Sequence, residues 1–269
     1  MQIEIRSMSI DTGSALTNSG GVMQLIGKKA LITGGSEGIG RAIAQSFLEE
    51  AATVAIVGRS LEKLQRAQTQ LEIDLDIFPA DVSNPSELEH VYHAYCGQSA
   101  KLDILVASAG ICLKTSLTDA TEADFDRLIA TNLKGVFFTV QKALPYLNEG
   151  ASIILIASID GKGGIADYSI YAASKAGIIS FAKSFAAELA PKKIRVNSIS
   201  PGFVDTPLID SLGITEEEKK IWGNSAPLKR FGQPKEIADA ALFLASDHSE
   251  YMTAADIAID GGISGISQY

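Results

Sequence analysis

The sequence contains little cysteine, histidine or tryptophan, with two, three and one of these residues among 269. The two cysteines, Cys96 and Cys112, are too few for a disulfide framework, and neither has the spacing to other cysteines or histidines that zinc requires. His90 and His93 stand three residues apart without a third ligand nearby in the sequence, which is typical of a solvated helix face. We therefore expect reduced cysteines and no metal site.

Long hydrophobic runs are also missing. The longest uncharged stretches, such as residues 104–113, fall short of the ~20 apolar residues that span a bilayer. Glu4, Arg6 and Asp11 interrupt the N-terminal stretch, which therefore lacks the hydrophobic segment of a secretory signal. We expect a cytoplasmic protein that does not act at a membrane.

Basic residues are outnumbered, since 23 lysines and arginines stand against 32 aspartates and glutamates, a net charge of −9. An acidic chain repels polyanions unless a local basic patch overrides its field, so we expect no nucleic-acid partner. Hydrophobic residues make up 46% of the chain, which is typical of a compact globular protein with a sizeable core.

Short β-rich runs alternate with helical patterns from residue 25 onward. Residues 151–157 are nearly all apolar, which is typical of a parallel strand covered on both faces. The runs that predict strands are 29–33, 53–57, 76–80, 104–107, 151–157, 195–200 and 256–259. No linker interrupts this alternation. It predicts a single α/β domain over residues 25–269, with a doubly wound, Rossmann-type parallel sheet of about seven strands and helices on both faces.

Two segments do not follow the alternation. Residues 1–24 are rich in Ser, Thr, Gly and Asn without periodicity, so we expect a poorly ordered leader. Residues 203–231 contain Pro207, Gly213 and the single tryptophan, Trp222, and they follow the end of a predicted strand. Such an insertion predicts a substrate lid. Its apolar residues either close over a substrate or pack on the core or a neighbouring subunit.

A glycine-rich turn, TGGSEGIG at residues 33–40, follows the first predicted strand. Glycines there permit a positive φ and let the backbone approach a pyrophosphate at a helix N-terminus. The turn therefore predicts a dinucleotide ligand, although similar turns also occur without one.

The second predicted strand ends near Gly58, where dinucleotide-binding folds place an acidic residue that grips the ribose 2′-hydroxyl of NAD. No carboxylate stands there, and the adjacent Arg59 is suited to pair with a 2′-phosphate. This favours NADP(H) over NAD(H). Two observations weigh against it, because Arg59 also suits a solvated helix start, and Glu37 in the turn would repel a second phosphate unless it points to solvent.

Tyr171 and Lys175 stand four residues apart on a helical pattern, so both side chains project from one face. A tyrosine, with an unperturbed pKa near ~10, becomes a useful acid or base at neutral pH when a nearby cation lowers that pKa. This pattern alone is weak, but Ser158 follows the strand at 151–157, where open α/β sheets hold their ligands. Its hydroxyl is placed to orient a substrate carbonyl.

Together these motifs resemble the short-chain dehydrogenase/reductase family over residues from about 25 to the end. The spacing of 13 residues between Ser158 and Tyr171 matches the family. The matching motifs are TGGSEGIG at 33–40, Ala109-Gly110, Asn132 in TNLKG, Ser158, YAASK at 171–175, PGFVDT at 201–206 and DGG at 260–262.

The resemblance implies a catalytic tetrad. Tyr171 would be the general acid/base, Lys175 would lower its pKa and bind the nicotinamide ribose, Ser158 would hold the substrate oxygen, and Asn132 would hold a proton-relaying water. The implied reaction is an NAD(P)-dependent interconversion of a ketone and a secondary alcohol. The implied cofactor contacts, besides Tyr171 and Lys175, are Gly34, Ser36, Gly38, Ile39, Gly40, Arg59, Asp81, Val82, Ala109, Gly110, Pro201, Gly202, Val204 and Thr206.

The resemblance leaves the substrate open. A small-molecule 3-oxoacyl substrate, or a sugar or other secondary alcohol oxidised with NAD, is equally compatible, and a nucleotide-sensing protein without turnover is the alternative from another class. The family also implies a homotetramer, with interfaces at residues 117–147, 170–189 and the C-terminal strand. One departure concerns the loop after the fourth strand, where the family usually has Asn-Asn-Ala-Gly and this chain has Ala107-Ser108-Ala109-Gly110. It puts the bracing of that loop in doubt.

Overall fold

The computed structural model describes residues 17–18, 21–71 and 75–266. Most of the predicted leader, residues 1–24, lies outside these residues. Its described part contains two short strands, β1 (Thr17–Asn18) and β2 (Gly21–Val22), which pair antiparallel.

The described residues from Lys29 onward form a seven-stranded parallel sheet with the order β5-β4-β3-β6-β7-β8-β9. The strands are β3 (Lys29–Thr33), β4 (Thr53–Gly58), β5 (Asp76–Pro79), β6 (Leu102–Ala107), β7 (Leu147–Ile156), β8 (Arg195–Pro201) and β9 (Asp256–Ile259). The chain order reverses between β3 and β6, and open α/β sheets bind ligands at such a switch point. The predicted fold is confirmed.

Helices cover both faces of the sheet. They are α1 (Gly38–Glu49), α2 (Leu61–Leu71), α3 (Pro85–Cys96), α4 (Glu122–Ile129), α5 (Gly135–Ala143), α6 (Ser169–Leu189), α7 (Pro207–Asp210), α8 (Glu216–Ser225) and α9 (Pro234–Ala245). Residues of α3, α5 and α6 share one buried apolar cluster with the sheet, and residues of α1, α2 and α9 share the other. Neighbouring strand residues alternate between the two clusters, as Leu31 and Ile32 show.

Local signals set several helix starts. The Asn84 side chain accepts a hydrogen bond from the Ser86 amide at 3.1 Å, and Thr121 and Thr215 form capping boxes. His90 and His93 are exposed on α3. Among the described residues, no group of three potential metal ligands occurs, and no helix has the length and apolar character needed to cross a membrane.

Residues 203–231, named the lid segment below, contain α7 and α8. The two ends of the lid segment are tied together, because the Gly232 amide donates to the Phe203 carbonyl at 2.8 Å and the Asp205 amide donates to the Gly232 carbonyl at 2.9 Å. Phe203 also stacks on Trp222, with ring centroids 5.1 Å apart. The segment is therefore anchored at its base beside the end of β8.

Candidate active site

The carboxyl ends of the central strands open into a cavity of about 580 Å³, named the active-site cavity below. It is lined from the turn after β3, past the ends of β4, β6 and β7, to the lid segment. The residues assigned from sequence that line it are Gly34, Ser36, Gly38, Ile39, Gly40, Arg59, Asp81, Val82, Ala109, Gly110, Ser158, Tyr171, Lys175, Pro201, Gly202, Val204 and Thr206. Asn132 is the one assigned residue that does not line it.

The turn after β3 has a shape that side chains would disrupt. Gly34 has a φ of +69°, and a Cβ placed on it would lie 2.8 Å from the backbone nitrogen of Ala109. The turn therefore packs backbone against backbone on the loop after β6, and it leads into the N-terminus of α1 at Gly38. A glycine cradle of this shape, open to the cavity at a helix N-terminus, fits the pyrophosphate of a dinucleotide.

Charged side chains flank this cradle. The Glu37 carboxylate pairs with Lys63 of α2, at 2.9 Å between Oε2 and Nζ. The lysine therefore compensates the negative charge of Glu37 beside the cavity. Arg59 is exposed at the end of β4 and forms no hydrogen bond or ion pair with any residue that the structure describes. Its guanidinium is free to bind an anion at the edge of the cavity.

The loop after β6 is braced without the two asparagines that the family usually has. The Thr33 hydroxyl accepts hydrogen bonds from the Ser108 amide at 3.2 Å and from the Ala109 amide at 3.3 Å. Asn132 braces the loop two residues further on, because its side chain accepts from the Ile111 amide and donates to the Ile111 carbonyl, both at 2.8 Å. The doubt raised by the sequence about this loop is thereby answered.

Asn132 lies in a π-helical turn, Ala130–Lys134, between α4 and α5, and it is fully buried. Besides its two bonds to Ile111, its amide nitrogen donates to the Ser174 hydroxyl at 3.3 Å. The side chain is therefore a brace that joins the loop after β6 to α6, behind the cavity wall at Gly110.

Tyr171 and Lys175 project from the first turns of α6 towards the end of β7. Both are buried, with 8% and 6% of their surfaces exposed. The Lys175 Nζ lies 5.6 Å from the Tyr171 ring centroid and donates to the Ile156 carbonyl at 3.0 Å. Ser158, two residues beyond Ile156, lies within hydrogen-bonding reach of the Tyr171 phenol. The strand end and the helix face thus bring three of the four tetrad residues together.

Burial is the main influence on the pKa values of Lys175 and Tyr171. It lowers the pKa of Lys175 to about 8, because a buried ammonium loses its hydration. Burial, with smaller contributions from Cys112 and Asp160, raises the pKa of Tyr171, and the Ser158 hydrogen bond only partly counteracts the rise. The sequence led us to expect a lowered tyrosine pKa. The structure differs because desolvation is the largest influence on the Tyr171 pKa, and a neutral phenol is a proton donor.

Comparisons with known proteins agree with this geometry. Residues 34–264 match the family model adh_short_C2, described as enoyl-(acyl carrier protein) reductase. The chain belongs to the short-chain dehydrogenase/reductase family.

Two relatives illustrate how much of the chain this family accounts for. The chain is 41% identical over 248 residues to the oxidoreductase asL5 of Sarocladium schorii, covering 91% of this chain and 99% of that protein. It is 39% identical over 246 residues to the 3-oxoacyl-[acyl-carrier-protein] reductase FabG of Thermotoga maritima, covering 90% and 99%.

Solved structures of the family have the same fold. A short-chain type dehydrogenase/reductase from Mycobacterium marinum superposes with a TM-score of 0.84 at 35% identity, covering 91% of this chain and 98% of that one. A dehydrogenase/reductase from Sinorhizobium meliloti 1021 gives a TM-score of 0.85 at 31% identity, covering 90% and 97%.

As a short-chain dehydrogenase/reductase, the protein is an NAD(P)-dependent oxidoreductase that interconverts a ketone and a secondary alcohol on a small molecule. The glycine cradle and the cavity beside it fit the nicotinamide dinucleotide that this family uses. The cofactor supplies and accepts the hydride. The chain itself supplies the proton, the orientation of the carbonyl and the enclosure of the site.

The structure adds cavity residues that sequence reasoning did not assign. Asp160, Tyr168 and Cys112 line the same cavity as Tyr171. Burial raises the pKa of Cys112 to about 12, so it remains a neutral thiol. Tyr168 could have been found in the sequence, since it stands three residues before Tyr171, at the start of the same helix. Asp160 could have been found as the carboxylate two residues after Ser158.

Proposed function

We propose that the protein reduces the 3-oxo group of an acyl thioester at the cavity end formed by Ser158, Tyr171 and Lys175. The observation that carries the proposal is the meeting of two hydroxyls, Ser158 and a phenol that stays protonated, at one point of the cavity. Two such groups suit a carbonyl oxygen that gains a proton. Relatives named 3-oxoacyl-[acyl-carrier-protein] reductase support the acyl class.

In this proposal the residues at the reacting end of the cavity contact the substrate and the cofactor as follows. The Ser158 hydroxyl donates a hydrogen bond to the substrate carbonyl, and Tyr171 transfers its proton to that oxygen as the hydride reaches the carbon. Lys175 binds the nicotinamide ribose and stabilises the phenolate that remains. The side chain of Asn132 is bonded to Ile111 and Ser174 outside the cavity, so we assign it the role of a brace and not the relay water that the resemblance implies. The lid segment closes over the substrate.

We propose NADP(H) as the preferred cofactor, bound along the cavity by the fourteen cradle, loop and lid-base residues assigned above together with Tyr171 and Lys175. Two observations support it. Arg59 has no partner among the described residues, and Lys63 compensates the charge of Glu37, the group expected to repel a 2′-phosphate. The 2′-phosphate would then form a charge-assisted pair with Arg59.

We propose that the protein assembles as a homotetramer. Aromatic side chains on α5 and α6 support this assembly, because Phe137 is 37% exposed and its ring lies 5.7 Å from that of Phe181 and 5.8 Å from that of Phe185. Phe125 on α4 is 51% exposed. Apolar surface of this kind marks contacts between proteins.

The deciding experiment measures binding of NADPH and NADH by calorimetry, and then their oxidation with 3-oxoacyl thioesters, 2-enoyl thioesters, simple ketones and keto sugars. We expect tighter NADPH binding and the highest kcat/KM with a 3-oxoacyl thioester. Preference for the 2-enoyl thioester would replace carbonyl reduction by alkene reduction. Preference for a sugar with NAD would favour the dehydrogenase alternative, and binding without any turnover would favour a nucleotide sensor.

The proton-transfer role is tested by Tyr171→Phe. We expect the variant to bind nucleotide but to lose about 10²–10⁴-fold in kcat, the usual contribution of a positioned general acid. Tyr251→Phe is the matched control, because Tyr251 is fully exposed and does not line the cavity. Turnover by Tyr171→Phe at the rate of the unmodified protein would refute the assignment.

A further inference from the structure

A carboxylate that the reaction does not use lies beside the reacting groups. Asp160 occupies the short turn after β7, Ile159–Gly161, and lines the active-site cavity. Its backbone amide donates to the Ser158 hydroxyl at 3.1 Å. The turn is pressed against α6, since a Cβ on Gly161 would lie 2.7 Å from the backbone nitrogen of Ala176. This close approach fixes the position of the turn that carries Asp160 relative to α6, which carries Tyr171.

A second unused polar group lies next to it. Tyr168 flanks the N-terminus of α6 and is 6% exposed. Its hydroxyl is buried and has no hydrogen-bond partner among the described residues. Burial raises the pKa of Tyr168 to about 12, with smaller contributions from Cys112 and Asp160. Tyr168 and Asp160 line the same cavity. A buried hydroxyl without a partner is unfavourable, and a bound molecule that offers a partner relieves this.

Apolar side chains pack around Tyr168. Tyr168 belongs to a buried cluster with Leu128, Ile170 and Tyr171, against which Leu212 and Trp222 of the lid segment pack. Of the carboxylates among the described cavity-lining residues, Glu37 and Asp81 lie at the cofactor end, and Asp160 alone follows the strand that carries Ser158. The part of the cavity beyond Ser158 therefore offers one carboxylate, Asp160, and one phenol, Tyr168, beside an apolar cluster.

We propose that Asp160 and Tyr168 form a second recognition point that binds a neutral hydrogen-bond donor, a hydroxyl or an amide N–H, carried by the substrate beyond its reacting carbonyl. The inference rests on the proposed carbonyl reduction. An ionised carboxylate only accepts hydrogen bonds, and a phenol oxygen both accepts and donates, so together they can hold one hydroxyl or N–H. The same carboxylate repels substrates that carry a free carboxylate.

The test compares substrate pairs that differ in one donor. The hydroxyl pairs are cyclohexanone against 2-, 3- and 4-hydroxycyclohexanone, and the N–H pair is the 3-oxobutanoyl thioester of N-acetyl-N-methylcysteamine against that of N-acetylcysteamine. We expect a kcat/KM ratio of about tenfold or more in favour of the donor in one pair series, because a buried polar site left unpaired discriminates against the analogue without the donor. The series with the larger ratio identifies the source of the donor. Asp160→Asn and Tyr168→Phe should each bring that ratio towards one.

A charge test separates recognition from a general structural effect. Asp160→Asn should raise kcat/KM for the 3-oxobutanoate anion relative to its ethyl ester, while it lowers the ratio for the donor-bearing compound. A general loss of folding cannot produce changes of opposite sign. Asp126→Asn is the matched control, because Asp126 is exposed on α4 and does not line the cavity, and it should change neither ratio.

The two proposals fail differently. If the protein reduces the carbonyl compounds but every pair gives a ratio near one, or both variants leave the ratios unchanged, the recognition point is wrong and carbonyl reduction stands. If no carbonyl compound is reduced, carbonyl reduction is wrong and the recognition point is rejected with it.

Discussion

Arg59 and Lys175 both line the active-site cavity, but Arg59 is exposed to solvent and Lys175 is buried. Arg59 is exposed and keeps its hydrated charge, so it can bind an anion at little cost in desolvation. Lys175 is buried, and its pKa is lowered because its ammonium group loses hydration. At the scale of single residues, we propose that Arg59 sets the cofactor preference, and we expect Lys175 to link the site to stability.

Replacing Arg59 with alanine should weaken NADPH binding by about 1–3 kcal/mol, the range for a charge-assisted hydrogen bond, and leave NADH binding nearly unchanged. Calorimetric titration of both nucleotides measures this. Arg66→Ala is the control, because Arg66 is exposed on α2, pairs with Glu62 and does not line the cavity. Equal weakening of the two nucleotides by Arg59→Ala would contradict the NADP(H) preference.

Lys175 should make stability depend on pH. Its pKa is about 8 in the folded chain and about 10.5 when the side chain is fully hydrated, so the unfolded chain holds more protons between these values. The free energy of unfolding contributed by Lys175 therefore rises with pH across that window and is constant below it. Lys175→Met removes this contribution, so the stability of the variant minus that of the unmodified protein should fall from pH 8 to 10. Denaturant titrations along this range measure the difference, and a constant value would contradict the prediction.

The turn between β3 and α1 is the element on which the cofactor end depends. Gly34 there combines a positive φ with close backbone contact, whereas Gly97 after α3 has a φ of +57° and nothing within 4 Å of an added Cβ. The two positions therefore separate backbone strain from crowding. Only the crowded position is expected to affect nucleotide binding.

Gly97→Ala should cost about 1–3 kcal/mol of stability through backbone strain alone, because its φ of 57° and ψ of −143° lie in a region that other residues rarely adopt. Gly34→Ala should cost a further ~1–3 kcal/mol through overpacking and should also weaken binding of both nucleotides. Denaturant unfolding and nucleotide titration of the two variants measure these effects. Equal losses of stability with unchanged nucleotide affinity would mean that the turn relaxes around the methyl group.

At the scale of the whole molecule, the aromatic residues of α5 and α6 form the surface at which we propose that the subunits meet. Phe137→Glu places a charge among Phe181 and Phe185, so it should dissociate the proposed tetramer into smaller species. Light scattering after gel filtration measures the mass. Leu61→Glu is the control, because Leu61 is 47% exposed at the start of α2 and distant in sequence from both helices. A monomeric unmodified protein would contradict the assembly.

Much of this molecule follows from local sequence signals. The alternation of strands and helices determined the seven-stranded parallel sheet, because apolar periodicity reports which faces are buried. Strand bounds were less accurate, since β7 begins at Leu147 rather than at residue 151. The ordered motifs identified the family, and the residues they assigned line the active-site cavity except Asn132, whose amide was already occupied by Ile111.

Tertiary structure decided what depends on burial and on distances between remote segments. The sign of the Tyr171 pKa shift, the bracing of the loop after β6 by Thr33, and the pairing of Glu37 with Lys63 all require segments far apart in the chain. The same holds for Asp160 and Tyr168. The sequence places them near Ser158 and Tyr171 but does not show that they line one cavity. They come to line one cavity only when the turn after β7 packs against α6. Their chemistry is decided there because the free energy of a polar group depends on how far its neighbours shield it from water.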